Sequence, residues 1–137
     1  MANHDVQIII GMIEPVKLKL DKKSIEFLAR IDTGATRSSI DRNIAEQLKL
    51  QKHEKEIVVK NSHGKSKRNM VNAKIILANK TFENKFTLAD RSHMKFPILI
   101  GRDILEQGFL IDTTKTIELE VMKTKLENIN KKLKVQK

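Results

Sequence analysis

At 137 residues and 15.7 kDa the chain has the length of one domain with its own hydrophobic core. It contains no cysteine, which excludes disulfide frameworks, thiol catalysis and cysteine-based zinc sites, and its apolar runs are too short to span a membrane. The formal charge is +10, but residues 121–137 hold six Lys against one Glu and carry half of it.

With five Phe, no Tyr and no Trp, the chain lacks the aromatics on which single-stranded nucleic acid stacks. A basic, solvated surface is therefore expected, without specific nucleic-acid recognition. The first twenty residues include Asp5, Glu14 and Pro15 and show no apolar signal-peptide core. The expected location is cytoplasmic, or periplasmic if a leader has been trimmed from the N-terminus.

In chain order, residues 6–13 and 16–20 read as strands around Glu14-Pro15, and residues 25–32 alternate as a third strand. Residues 41–50 read as a helix: Asp41 caps it, and Ile44, Ala45 and Leu48 form its apolar face. Ile57-Val58-Val59 and residues 68–78 flank a polar stretch from Asn61 to Ser66, and Asn79-Lys80 reads as a hairpin turn into 81–90. After Pro97 come a short apolar strand, a turn of helix and a closing strand over 109–120. The pattern predicts an all-β domain over 1–120, a small barrel or sandwich with one or two short helices. Residues 121–137 form a basic tail in which Leu126, Ile129 and Leu133 recur at helical spacing, as an amphipathic helix or a frayed end.

Three apparent motifs carry no function. Gly64-Lys65-Ser66 imitates the end of a phosphate-binding loop, but Val59 stands where the first glycine belongs. The histidines at 4, 53, 63 and 93 are scattered and form no HExxH pair, so no metal or cofactor is expected. Asn79-Lys80-Thr81 fits a glycosylation sequon, a triplet common by chance.

The informative segment is Asp32-Thr33-Gly34-Ala35, which follows an apolar strand. An aspartic protease needs an Asp at the end of a rigid strand, with its carboxylate projecting into a cleft. Thr33 is small and locks such a turn through its hydroxyl, and Gly34 lets the backbone approach a substrate. An ordinary Asp-x-Gly turn is the alternative for this tetrapeptide alone.

A second signal lies about 65 residues downstream in Phe96-Pro97-Ile98-Leu99-Ile100-Gly101-Arg102-Asp103-Ile104-Leu105. With it the chain resembles the retropepsin-like aspartic proteases, whose second hallmark is an apolar run, Gly-Arg and a short helix. More narrowly, residues 9–16, the Asp-Thr-Gly-Ala segment and residues 94–102 look like a bacterial family labelled ATP-dependent zinc proteases, although neither a zinc nor an ATP motif is present. The resemblance spans roughly residues 8–120 and implies a single-lobed, closed β-barrel. The chain holds one Asp-Thr-Gly, since Asp112-Thr113-Thr114 lacks the glycine. Two carboxylates sharing one proton therefore require a homodimer, with Asp32 of each subunit meeting on the two-fold axis.

In this reading Asp32 is catalytic, Thr33 and Gly34 support its turn, and Ala35, Thr36, His63, Gly64 and Arg102 line the substrate cleft. Residues 61–65 are either the tip of a substrate-covering flap or a plain surface hairpin. In viral relatives Arg102 pairs with an acid four residues after the catalytic Asp; here Thr36 stands there, which leaves Asp41 and Asp103 as candidate partners. The expected function is a homodimeric aspartic endopeptidase acting on a peptide or protein. The alternative is a non-catalytic, dimeric peptide-binding module on the same fold.

Overall fold

The computed structural model describes residues 7–115 and residue 117. Within them the chain runs through β1 (Ile8–Ile10), β2 (Ile13–Lys19), β3 (Ser24–Ile31), β4 (Ser39–Asp41), α1 (Arg42–Gln47), β5 (Lys52–Asn61), β6 (Gly64–Leu77), β7 (Lys80–Ala89), β8 (Ile98–Ile100), α2 (Arg102–Leu105) and β9 (Phe109–Ile111). The main sheet has the order β2-β3-β8-β4-β7-β6, and β6 returns to pair with β2 through residues 74–77, closing a six-stranded barrel. β5 adds to β6 outside the ring, and β1 and β9 form a separate parallel pair.

Period-two alternation builds the core. Val16 and Leu18 of β2, Ile25, Phe27 and Ile31 of β3, and Val71, Ile75 and Leu77 of β6 point inward and are buried. Asn72 and Lys74 of β6, at the intervening positions, face solvent. Burial of each large aliphatic or aromatic side chain contributes about 1.5–3 kcal/mol. β3 is buried on its second face as well: Leu28 packs there with Phe96, Ile13 and Ile117. The strand that leads to Asp32 is thus held from both sides.

Four boundaries differ from the sequence expectation. The first strand breaks at Gly11, where a Cβ would lie 2.5 Å from the Lys115 carbonyl oxygen. β1 leaves there to pair with β9, while β2 enters the barrel. The helix stops at Gln47, because Lys49 adopts a left-handed conformation (φ 54°) and the Leu50 N–H closes back to the Ala45 carbonyl. The turn between β6 and β7 is Ala78-Asn79, one residue before the expected Asn79-Lys80, with φ of 50° and 65° between the paired Leu77 and Lys80. The closing strand ends at Ile111, where the Asp112 carboxylate accepts from the Thr114 N–H and hydroxyl and bends the chain. The expected tail helix, 121–137, lies outside the described residues. Among the described residues no helix is long and apolar enough to cross a membrane.

Candidate active site

β3 delivers Asp32. The strand is clamped between β2 and the parallel β8, and the Asp32 N–H donates to the Ile100 carbonyl at 2.9 Å, extending the pairing by one residue. The chain then turns. Gly34 N–H donates to Asp32 Oδ1 at 2.9 Å, and the Ala35 N–H donates to the Asp32 carbonyl at 3.2 Å. A Cβ on Gly34 would sit 3.2 Å from that same Oδ1. Asp32 is half-buried while Thr33 and Gly34 are exposed, and among the described residues Oδ2 has no hydrogen-bond partner. The carboxylate is thus fixed through one oxygen and free at the other, beside an exposed backbone ledge.

The second hallmark grips this turn from behind. A Cβ on Gly101 would lie 2.7 Å from both the carbonyl carbon and oxygen of Arg37 and 2.9 Å from the Ala35 oxygen, so only glycine fits at the crossing. The Arg102 N–H donates to the Ala35 carbonyl at 2.8 Å and the Asp103 N–H to the Thr36 carbonyl at 3.1 Å. The Arg102 guanidinium donates from Nη1 to the Thr33 carbonyl at 2.8 Å and from Nη2 to Thr36 Oγ1 at 3.1 Å. Its partners are therefore a carbonyl and a hydroxyl of the turn. An exposed Glu106 lies 3.8 Å from Nε and adds little.

Neither Asp41 nor Asp103 fills the role considered for them. Asp41 caps α1 by accepting from the Ile44 N–H, and its other oxygen accepts from the Arg91 N–H at 2.8 Å. Asp103 accepts from the Ser38 N–H, the Ser38 hydroxyl at 2.7 Å and Asn84 Nδ2 at 2.9 Å. The same Ser38 hydroxyl oxygen accepts from the Gly101 N–H at 3.0 Å. Ser38, fully buried, thereby ties the two hallmarks together.

Ser38, Asn84 and Arg91 carry no mark in the sequence as residues near the site. A serine following such a turn carries no signal until its burial is known, and its acid partner lies 65 residues away. Arg91 is buried, with Nε donating to the Phe96 carbonyl at 2.9 Å. Burial pulls its guanidinium below the ordinary arginine value; the Asp41 carboxylate opposes this, Arg30 adds to it, Asp32 opposes it and Arg68 adds to it. Arg91 thus lies in the same electrostatic neighbourhood as Asp32.

Thr33, Gly34, Ala35, Thr36 and Arg102 are joined to one another or to Asp32 by the bonds above. His63 and Gly64 lie elsewhere in the chain, at the tip of the β5–β6 hairpin. Asn61 and Gly64 form its last pair, Ser62-His63 make the turn, and Gly64 has φ 119°. Along this arm Ile57 and Val59 are half-buried, whereas Val58 on the opposite face is 57% exposed.

Comparison with known proteins agrees with this architecture. The chain is similar in fold to a Legionella pneumophila protein of unknown function, with a TM-score of 0.57, 23% identity, and coverage of 80% of this chain and 95% of that one. It is similar to EIAV protease complexed with an inhibitor, with a TM-score of 0.55, 19% identity, and coverage of 69% and 84%. It is also similar to the simian foamy virus protease, with a TM-score of 0.50, 14% identity, and coverage of 69% and 91%. No curated protein sequence matches the chain. The model of the RimB-like family, described as retropepsin-like aspartic endopeptidase RimB, matches residues 41–120. That stretch includes β8 and the Gly101-Arg102 crossing but begins after the Asp32 turn. With more than half of its length matched and the barrel closed around the two hallmarks, the chain belongs to the RimB-like family of retropepsin-like aspartic endopeptidases.

Proposed function

We propose that two copies of this chain assemble into a homodimeric aspartic endopeptidase that hydrolyses peptide or related amide bonds. The observation that carries this reading is the Asp32 carboxylate, held through Oδ1 by Gly34 and unpartnered at Oδ2 among the described residues. Two such carboxylates across a two-fold axis cannot both ionise readily, so they share one proton. The ionised member takes a proton from a water molecule as that water attacks the carbonyl carbon. The protonated member donates to the carbonyl oxygen, and proton transfer to the nitrogen then releases the amine. Arg102 acts behind the turn, bracing it through the Thr33 carbonyl and the Thr36 hydroxyl.

The β1–β9 pair supports assembly. Ile9 and Leu110 face each other in its register and are 56% and 47% exposed, an apolar patch suited to burial by a second copy. The β5–β6 hairpin, with His63 and Gly64 at its tip, is the proposed flap over the bound peptide. The test is cleavage of a peptide mixture by wild type and Asp32→Asn across about pH 4–7, with circular dichroism confirming the fold of both. Wild type is expected to cleave and Asp32→Asn to have no activity. Equal cleavage by the two proteins would refute the assignment, and peptide binding without cleavage by either would point to the non-catalytic alternative.

A further inference from the structure

The charge that looks dispersed along the sequence is gathered in space. A groove of about 1460 Å³ is lined by the 19–23 segment, the 48–51 segment after α1, residues 72–74 of β6 and residues 83–85 of β7, with Arg37 and Asp103. Six of its lining side chains, Lys19, Lys22, Lys23, Arg37, Lys49 and Lys85, are exposed and have no ion-pair partner among the described residues. The three acids of the lining offset them only in part. Glu83 is 3.7 Å from Lys74, its register partner, and Asp103 is engaged by Ser38 and Asn84. With Lys74 counted, the lining holds seven cations against Asp21, Glu83 and Asp103, an excess of four positive charges. Asp32 is not part of the lining, which reaches only Arg37 and Asp103 behind its turn.

We propose that this groove binds the phosphodiester backbone of double-stranded nucleic acid without reading its sequence. A concave, cationic surface complements the convex, evenly charged ridge of a duplex backbone, and the amide side chains of Gln51 and Asn72 add hydrogen-bonding groups of the kind that contact phosphates. The lining does not resemble the core of a protein–protein interface. Lysine is depleted in such cores and aromatic residues and methionine are enriched, whereas here lysine dominates and neither aromatic residue nor methionine is present. None of the four exposed large hydrophobics among the described residues, Ile9, Val58, Met94 and Leu110, lines the groove. The same lack of aromatics removes the stacking platform a single strand needs, which leaves the duplex backbone as the fitting partner. Lysines act on phosphates as point charges and carry no base code, so binding is independent of sequence.

The groove's location and its salt response make the proposal testable. The probes are fluorescein-labelled duplex RNA, duplex DNA of the same sequence, and the corresponding single strand, titrated with the full chain in fluorescence anisotropy at several salt concentrations. For a duplex, log K is expected to fall with log salt, and the slope to shrink by about 0.9 for each engaged lysine removed. The groove variant is Lys22→Gln/Lys49→Gln/Lys85→Gln. Its control is Lys60→Gln/Lys65→Gln/Lys67→Gln on the β5–β6 arm, which loses the same net charge elsewhere. The groove variant should lose about two to three units of slope and at least about tenfold in affinity near physiological salt, while the control keeps the wild-type slope. RNA binding and DNA binding of similar strength show that the shared backbone is read; a preference for one assigns the duplex form. Asp32→Asn should bind as wild type, so the result is independent of any peptidase activity. Equal losses in the groove variant and the control, or an unchanged slope in the groove variant, would overturn the assignment. So would tighter binding of the single strand, or displacement of the duplex by poly-glutamate at an equal or lower concentration of charge.

Discussion

Substituting alanine for Gly101 tests the crossing that holds the two hallmarks together. The added Cβ would meet the Arg37 carbonyl carbon and oxygen at 2.7 Å and the Ala35 oxygen at 2.9 Å, where ordinary contact begins at 3.4 Å. The obstacle is backbone, so relief requires moving the 35–37 segment by more than half an ångström. That segment is pinned by the Arg102 N–H on Ala35 and the Asp103 N–H on Thr36, and the Gly101 N–H is itself bound to the Ser38 hydroxyl. Overpacking of this kind costs about 1–3 kcal/mol, and weakening one or two hydrogen bonds adds about 1 kcal/mol each. The expected loss is about 3 kcal/mol, or a fall of about 10 °C in Tm for a domain of this size. Urea unfolding at matched protein concentration measures it, with m unchanged. A loss below about 1 kcal/mol would mean that the crossing yields easily and that Gly101 is not required by packing.

Gly34→Ala should behave in the opposite way. Its single close contact is a side-chain oxygen, Asp32 Oδ1 at 3.2 Å, so stability should change by less than about 1 kcal/mol while cleavage falls by about a hundredfold or more as the carboxylate is displaced; a variant with wild-type cleavage would refute the geometry. Asp112 is held below its ordinary carboxylate value of 3.8 by the Thr114 hydroxyl first and the Thr114 N–H second. A lowered folded-state pKa contributes stability above the unfolded value that is lost as pH falls through the folded one, so Thr114→Val should destabilise at about pH 6 and much less at about pH 2. Urea titrations at the two pH values check the sign, and an effect larger in acid would contradict it.

What the sequence could show, and what it could not, follows from the range of the forces involved. Asp32-Thr33-Gly34 and Gly101-Arg102 were legible because their chemistry leaves few residue choices, and the alternation in β3 and β6 was legible because burial imposes a period of two. The break at Gly11 was not, because its cause is the Lys115 backbone, far away in the chain. The end of α1 and the 78–79 turn were misplaced because Lys49 and Ala78 adopt positive φ without being glycine, which leaves no sequence signal. The resemblance points to an acid as the partner of Arg102, whereas here the Thr36 hydroxyl and the Thr33 carbonyl take that place. Asp103 was thereby released to bind Ser38 and Asn84, contacts across 65 and 19 positions that only the folded barrel brings together. The basic groove was hidden for a similar reason, since its lysines come from the 19–23 segment, residue 49 and β7.

The central claim, that one Asp32 from each of two subunits makes the catalytic centre, is tested most directly by mixing. Wild type and Asp32→Asn are combined at fixed total concentration, allowed to exchange subunits, and assayed for cleavage as the wild-type fraction varies. A shared dyad predicts activity that follows the square of the wild-type fraction, because a mixed dimer holds one carboxylate and cannot both activate water and protonate the carbonyl. Activity that falls in direct proportion to the wild-type fraction would show that each subunit works alone and would contradict the account.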